Sequence, residues 1–275
     1  ILSSMFNALG ESRIPLYLLI FSSVLNIFLD LYMVATLHLG VAGAAYATFI
    51  AQGISAVCSF LIFLHTLRRL DGKAETWFSK AEFSSMSRIA LPSILQQSTV
   101  SIGMMLVQSV VNGFGTQILA GFSAGMRIES LCVVPMAAIG NALSSYTAQN
   151  IGAGQEERVK SGFKAGGFMA FCVAVPFTIL FFFFGGPAVT IFMEQTGGEA
   201  MNTGVTFLKI VSPFYVVVAT KLMADGVLRG SGAMGCFMIA TFADLILRVL
   251  ISFVLAGPFG ADGIWMSWPI GWTIA

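Results

Sequence analysis

The stretch Gln117–Lys164 reads QILAGFSAGMRIESLCVVPMAAIGNALSSYTAQNIGAGQEERVKSGFK, and it decides the class of fold. Its first part is apolar enough to cross a lipid bilayer, yet it contains Arg127, Glu129 and Pro135. It ends in a Gly-Ala-Gly turn that is followed by a charged cluster. Charged side chains inside membrane helices are rare, and those that occur face protein or a water-filled cavity. The stretch therefore predicts a membrane helix that carries a polar site.

The composition of the whole chain agrees with this interpretation. Of its 275 residues, 57% are hydrophobic and only 10% are charged, and the mean hydropathy is +0.87. A soluble domain carries about 25% charged residues. The net charge of +1 indicates no nucleic-acid partner. The four cysteines are scattered through apolar segments, so the sequence predicts no metal site and no cofactor.

Apolar runs of ~20 or more residues, the length that crosses ~30 Å of hydrocarbon, recur along the chain. They predict an all-α, polytopic membrane protein with about eight helices in this sequence. The chain begins on ILSSMFNALG without Met and stops inside an apolar run, so we expect a fragment of a longer protein. We expect residues 1–66 to end one lobe and residues 88–275 to form most of a second lobe. The polar segment 67–87 is expected to be a linker, with an amphipathic surface helix as the alternative for part of it. Within that lobe we expect helices at about 92–112, 118–149, 160–184, 203–228 and 234–256.

The connections between these helices predict how the chain is oriented. Taken alternately, one set of connections holds ten Lys and Arg residues, and the other set holds none. Cytoplasmic loops carry the excess of basic residues. We therefore expect a multi-pass membrane protein with the linker 67–87 in the cytoplasm.

A pattern near the start of the chain returns near its end. In both copies a glycine precedes a polar membrane helix, and a Gly-x-x-Gly segment follows it. The copies are Gly10, Asn26 with Asp30, and Gly40–Gly43, and then Gly232, Asp244 with Arg248, and Gly260–Gly263. They lie ~220 residues apart in the same order, which is a parallel repeat of the kind that two-lobed transporters show. We therefore expect a repeat of six helices and a transporter that acts as a monomer.

Several short segments, in this order and spacing, resemble the MATE family (multidrug and toxic compound extrusion). They are ALGESRIP at 8–15, NIFLD at 26–30, LGVAGAAYAT at 39–48, LPSILQQS at 91–98, GMRIE at 125–129, AQNIGAG at 148–154 and VLRGSG at 227–232. The resemblance implies twelve helices in two bundles and transport by alternating access. It also implies export of organic cations or other small amphipathic compounds in exchange for Na⁺ or H⁺. The sodium-coupled bacterial branch has an acid in helix seven, where this chain has Gln96 and Gln97.

Six side chains are candidates for lining a substrate or ion cavity. They are Arg127, Glu129, Asn26, Asp30, Gln96 and Gln97. For Arg127 and Glu129 the alternatives are a role in transport and structural pairing, and they lie on different faces of their helix. For Asp30 the alternative to a structural role is proton coupling. The two glutamines could donate to a substrate or to backbone near the start of their helix.

Two further pairs have the spacing of neighbours on one helix face, four residues apart. Asp244 with Arg248, and Lys221 with Asp225, are therefore predicted to form structural ion pairs inside the membrane. Pro135 removes a backbone hydrogen bond, so it is predicted to bend its helix and is a candidate hinge.

Other classes of function stay open at this point. A lipid-linked oligosaccharide or polysaccharide flippase would share the fold, but it should line its cavity with several cations. A membrane enzyme would need clustered His, Asp or Ser near one interface, and the sequence shows no catalytic constellation. A channel would need a pore lined by several subunits.

Overall fold

A computed structural model describes residues 2–69, 78–193 and 198–274, and its secondary structure in these ranges is helical without any strand. The chain divides into two compact units, Ile1–Phe78 (unit 1) and Ser79–Ala275 (unit 2). Within the described ranges, seven helical stretches are long and apolar enough to cross a membrane. The prediction of an all-α, polytopic membrane protein is confirmed.

In its described residues, unit 1 has three helices and one π-helical stretch. They are α1 (Leu2–Ala8), α2 (Arg13–Asp30), the π-helical stretch Leu31–Thr36, and α3 (Gly40–Arg69). α1 packs through Phe6, whose ring lies edge-on to that of Phe63 in α3, with 5.6 Å between the ring centroids.

Over the residues that are described, unit 2 is a bundle of seven helices, with one 3₁₀ turn between α7 and α8. They are α4 (Lys80–Asn112), α5 (Thr116–Gly152), α6 (Glu156–Thr190), α7 (Glu199–Val211), the 3₁₀ turn Ser212–Phe214, α8 (Tyr215–Gly230), α9 (Met234–Phe259) and α10 (Ala261–Ile274). The stretch quoted first lies mainly in α5, which packs against α6, α7 and α8. It is therefore the central helix of this unit.

Glycine allows α5 and α8 to approach until their backbones touch. A Cβ atom on Gly226 would lie 2.4 Å from the carbonyl oxygen of Gly140, and one on Gly140 would lie 2.7 Å from that of Leu222. Small residues at such crossings supply the close packing that joins helices in membranes. The crossing fixes the side of α8 that faces the centre of the unit.

We expect Gly226→Ala to lower the stability of the folded protein by about 1–3 kcal/mol, the usual cost of overpacking. The added methyl group meets backbone, which cannot rotate away. The matched control is Gly167→Ala in α6, where a Cβ would have no neighbour within 4 Å. Since alanine favours helix by up to about 1 kcal/mol over glycine, the control should be neutral or stabilising. Thermal unfolding in detergent measures both, and equal effects of the two changes would contradict the prediction.

The expected start of the helix near Pro92 is wrong. α4 begins at Lys80, and Pro92 lies inside it. Ser79 caps the helix, because its side chain accepts a hydrogen bond from the backbone N–H of Glu82 at 3.3 Å. Ser followed three residues later by Glu is the sequence signature of a capping box. The segment 67–87 is thus helical at both ends, and residues 70–77 lie outside the described residues.

Two other expected helices have different ends or interruptions. α6 does not stop before Gly185 but continues to Thr190, with a kink at Phe184 (φ −116°, ψ 23°). Pro187 explains the kink, because its ring clashes with the carbonyl group four residues earlier. The helix expected at 203–228 is broken by the 3₁₀ turn that contains Pro213.

The backbone conformation supports the internal repeat, of which one copy lies in each unit. Gly10 and Gly232 have φ of 82° and 76°, and Gly40 and Gly260 have φ of 54° and 60°. These left-handed conformations favour glycine. Thirty residues separate the first pair of turns and twenty-eight the second. The π-helical stretch Leu31–Thr36 lies in the longer copy, and such widened turns accommodate extra residues.

Candidate functional site

The polar site of unit 1 joins α2 to α3. In the amide orientation that satisfies all partners, Asn26 Nδ2 donates to Asp30 Oδ2 at 3.3 Å, and Thr48 Oγ1 donates to Asn26 Oδ1 at 3.3 Å. The other carboxylate oxygen, Asp30 Oδ1, is buried and has no hydrogen-bond partner among the residues that the structure describes. An oxygen of this kind is free to bind a proton or a cation.

The backbone around Asp30 is also irregular. α2 ends at Asp30, and the π-helical stretch begins at the next residue. Single π-helical turns inside membrane or soluble helices occur frequently at functional sites. The wider turn places Asp30 at the junction of two helical geometries, and a carboxylate at membrane depth is by default a functional candidate.

The polar site of unit 2 is a chain of ion pairs across α8 and α9. Lys221 Nζ lies 3.2 Å from Asp225 Oδ2 and 3.6 Å from Asp244 Oδ2. Arg248 Nη2 lies 2.9 Å from each carboxylate oxygen of Asp244. The structure thus brings both predicted pairs together and joins them through the contact between Lys221 and Asp244.

The aromatic residues of α10 cover this chain of charges. The guanidinium group of Arg248 lies 5.1 Å from the ring centroid of Trp268 and 5.8 Å from that of Trp272. Such cation–π contacts stabilise a desolvated cation. A Cβ on Gly271 would lie 2.5 Å from Asp244 Oδ1, so this glycine makes room for the carboxylate. α10 therefore holds Arg248 and Asp244 in place from one side.

Arg127 and Glu129 lie on opposite sides of α5. Glu129 is buried, with 4% of its surface exposed, whereas Arg127 is exposed. Neither side chain makes a hydrogen bond or ion pair within the described part of the chain. The two residues are not a pair, as their positions on the helix predict, and only Glu129 faces the centre of unit 2.

The remaining candidates are Gln96, Gln97 and Pro135. Gln96 is half-buried and Gln97 is exposed on α4. α5 is one continuous helix through Pro135. Within the ranges described, no group of three or more His, Cys, Asp or Glu side chains is arranged to hold a metal ion. Roles for Gln96, Gln97 and the hinge at Pro135 stay predictions.

Five residues of these regions were not singled out from the sequence, namely Thr48, Tyr215 and three tryptophans of α10. Thr48 belongs to a segment of small residues in α3, where a lone hydroxyl is the only signal. Tyr215 has a fully buried side chain, and its hydroxyl has no partner among the residues described. The spacing of Trp265, Trp268 and Trp272, three and four residues apart, predicts one helix face but not its contact with Arg248.

The turns of the repeat show which positions of the two units correspond. Counting from Gly10 and Gly232, Asn26 corresponds to Arg248 and Asp30 to Ser252. Counting from Gly40 and Gly260, Thr48 corresponds to Trp268. The contact between Asn26 and Thr48 thus corresponds to the contact between Arg248 and Trp268. The two units use the same place in the fold for different chemistry.

Comparison with known proteins gives consistent similarities. The sequence profile of a family described as MatE matches residues 92–254. Among curated proteins, a probable multidrug resistance protein, YpnP of Bacillus subtilis, is 29% identical over 94% of this chain and 56% of its own length. A probable multidrug resistance protein, NorM of Thermotoga maritima, is 26% identical over 97% of this chain and 59% of its own length. The chain thus spans less than three fifths of these relatives.

A solved structure shows the same fold. The crystal structure of a MATE protein in the bent conformation matches with a TM-score of 0.87. The match covers 99% of this chain and 61% of the other, at 23% sequence identity. At this identity the match concerns the fold, and the chemistry of the sites rests on the side chains described above.

Proposed function

Because the chain belongs to the MatE family, we propose that the whole protein is a secondary active exporter. It exports organic cations or other amphipathic compounds by alternating access, in exchange for Na⁺ or H⁺. The names of the related multidrug resistance proteins support drugs as the substrate class. The proposal describes a transporter rather than an enzyme, and it needs no cofactor beyond the coupling cation.

The observation that carries the coupling is the site formed by Asn26, Asp30 and Thr48. A membrane-spanning helix bears a carboxylate of which one oxygen is hydrogen-bonded and the other has no partner in the part of the chain that is described. A charged group at this depth is costly, so a bound proton or Na⁺ stabilises the site. Binding of the cation at one side of the membrane and its release at the other would reset the exporter.

The distribution of basic residues supports a proposal on the location and orientation of the protein. We propose that the protein is a monomer in the plasma membrane, the inner membrane of a bacterium. The segment 67–87 and the start of α6 then face the cytoplasm, because both are rich in Lys and Arg.

The test uses the full-length protein in sealed proteoliposomes, with ethidium as a cationic probe and an imposed gradient of H⁺ or Na⁺. The expected result is ethidium transport that requires one of the two gradients and stops when an ionophore dissipates it. Lack of ethidium transport under both gradients, with translocation of a lipid-linked oligosaccharide instead, would overturn drug export in favour of the flippase.

A further inference from the structure

A groove lies between α6 and α8 on the surface of unit 2. Its volume is about 570 Å³, within the range of roughly 300–1,000 Å³ that is usual for small-molecule sites. Among the described residues, its lining consists of apolar side chains such as Phe163 and Val227, together with Lys160 and Lys164. The groove therefore combines apolar walls with positive charge.

The two lysines lie where α6 enters the membrane. Residues 165–190, which follow Lys164 in this helix, contain no charged residue. A helix of that length rises ~39 Å, which is more than the ~30 Å of hydrocarbon in a bilayer. Lys160 precedes Lys164 by about one helical turn. Since long basic side chains extend towards the membrane surface, both ammonium groups can reach the level of the lipid phosphates.

The charges at the start of α6 leave Lys164 available for a ligand. This segment holds the acids Glu156 and Glu157 and the bases Arg158, Lys160 and Lys164, so its net charge is +1. Lys160 Nζ lies 2.7 Å from Glu157 Oε1, but the two side chains are 72% and 86% exposed, and an exposed pair of this kind has little stability. Lys164 makes no hydrogen bond or ion pair in the part of the chain that the structure describes.

The charged residues of α8 bind other partners. Lys221 Nζ lies 3.2 Å from Asp225 Oδ2. The half-buried Arg229 donates from Nη2 to Asn141 Oδ1 at 2.9 Å, and its guanidinium group lies 5.5 Å from the ring centroid of Phe237. None of these residues lines the groove, and no acid is among the described residues that do. An anionic ligand therefore meets cations there and no carboxylate.

A second groove, between α5 and α6, differs from the first in its charge. Its volume is about 640 Å³, and its lining includes Ala142, Tyr146 and Met169. Its described lining residues include none that is charged. Both grooves suit an acyl chain, but only the groove between α6 and α8 has cations for a headgroup.

We propose that the groove between α6 and α8 binds an anionic phospholipid. Lys160 and Lys164 bind the phosphate, and an acyl chain lies along Phe163, Ala224 and Val227. Basic pockets between membrane helices bind lipid headgroups in this way. A soluble phosphate would leave the apolar walls uncovered, and a zwitterionic lipid would bring a further cation close to the lysines. The site needs only the membrane-spanning bundle, so it goes beyond the proposed export function.

The test measures the lipid bound to the full-length protein by native mass spectrometry. The probes are phosphatidylglycerol and phosphatidylcholine with the same acyl chains, and we expect the wild type to prefer phosphatidylglycerol. In Lys160→Gln/Lys164→Gln this preference should fall by at least about fivefold, the effect of one lysine near anionic lipid. Ala224→Phe should also weaken the binding of phosphatidylglycerol, because its ring fills the groove without changing the charge.

Matched controls make the same chemical changes elsewhere in unit 2. Lys80→Gln/Arg88→Gln removes two exposed cations of α4, and Ala142→Phe places a ring in the second groove. Both controls should keep the wild-type preference. Gel filtration of every variant shows whether it is folded and whether its oligomeric state has changed.

Four outcomes would overturn the proposal. The first is equal binding of the two lipids by the wild type. The second is an unchanged preference in Lys160→Gln/Lys164→Gln, or an equal loss in Lys80→Gln/Arg88→Gln, which would mean that only the total surface charge matters. The third is displacement of phosphatidylglycerol by an equal concentration of inorganic phosphate, which would assign the lysines to a soluble anion. The fourth is a change from dimer to monomer in Ala224→Phe, which would assign the groove to a second copy of the chain.

Discussion

Asp30→Asn is expected to reduce gradient-driven export by the full-length protein to the level of vesicles without protein. Asparagine has nearly the same shape as aspartate, and its carbonyl oxygen still accepts the hydrogen bond from Asn26 at the position where Asp30 Oδ2 accepts it at 3.3 Å. It has no negative charge and binds no proton, so the coupling cation loses its site. The measurement is the initial rate of ethidium transport under an imposed gradient.

The matched control for this change is Asp262→Asn. Asp262 is an exposed acid in the first turn of α10, so the same chemical change there should leave transport close to the wild-type rate. Gel filtration should show equal amounts of folded protein for both variants. Wild-type transport by Asp30→Asn would exclude Asp30 as the coupling group, even if the protein exports drugs.

Local spacing along the chain was enough to predict some of these contacts. The pairs Lys221 with Asp225 and Asp244 with Arg248 follow from a separation of four residues on a helix. The contact between Lys221 and Asp244 does not, because it depends on how α8 packs against α9. Sequence periodicity describes one helix at a time.

The start of α4 shows a different kind of failure. The polar character of residues 80–87 favoured a linker, but these residues extend a membrane helix beyond its apolar part. A helix ends where its backbone groups are capped, not where the hydrocarbon ends, and Ser79 with Glu82 was the local signal. Hydropathy predicts which part of a helix spans the membrane, whereas the capping residues predict where the helix begins and ends.

The two units show how one repeat serves two purposes. At corresponding positions, unit 1 has the small polar residues Asn26 and Thr48, and unit 2 has Arg248 and Trp268. Small polar groups leave a carboxylate oxygen available for a cation. A guanidinium group held by a carboxylate and an indole ring fills the corresponding space. Repeat symmetry therefore predicts where a site lies but not what it binds.

Arg248→Met is expected to lower the stability of the folded protein by about 3–5 kcal/mol, the usual cost of removing one partner from a buried ion pair. Asp244 then stays buried with only Lys221, at 3.6 Å, to balance it. The cation–π contacts with Trp268 and Trp272 are lost at the same time. Chemical unfolding in detergent measures the effect. Lys160→Met is the control, because Lys160 pairs with Glu157 at 2.7 Å on the exposed start of α6, where loss of an ion pair has little effect.

A double-mutant cycle separates the ion pair from the loss of packing. In Asp244→Leu combined with Arg248→Met, neither charge is left unpaired, and Lys221 keeps Asp225 at 3.2 Å. The double variant should therefore be more stable than the sum of the single changes implies, because residues in one salt-bridge network have coupled effects. Additive effects would show that Arg248 stabilises unit 2 through the tryptophans of α10 alone. Strong coupling would instead show that the ion pair itself, and not only the packing of Arg248 on α10, stabilises the bundle.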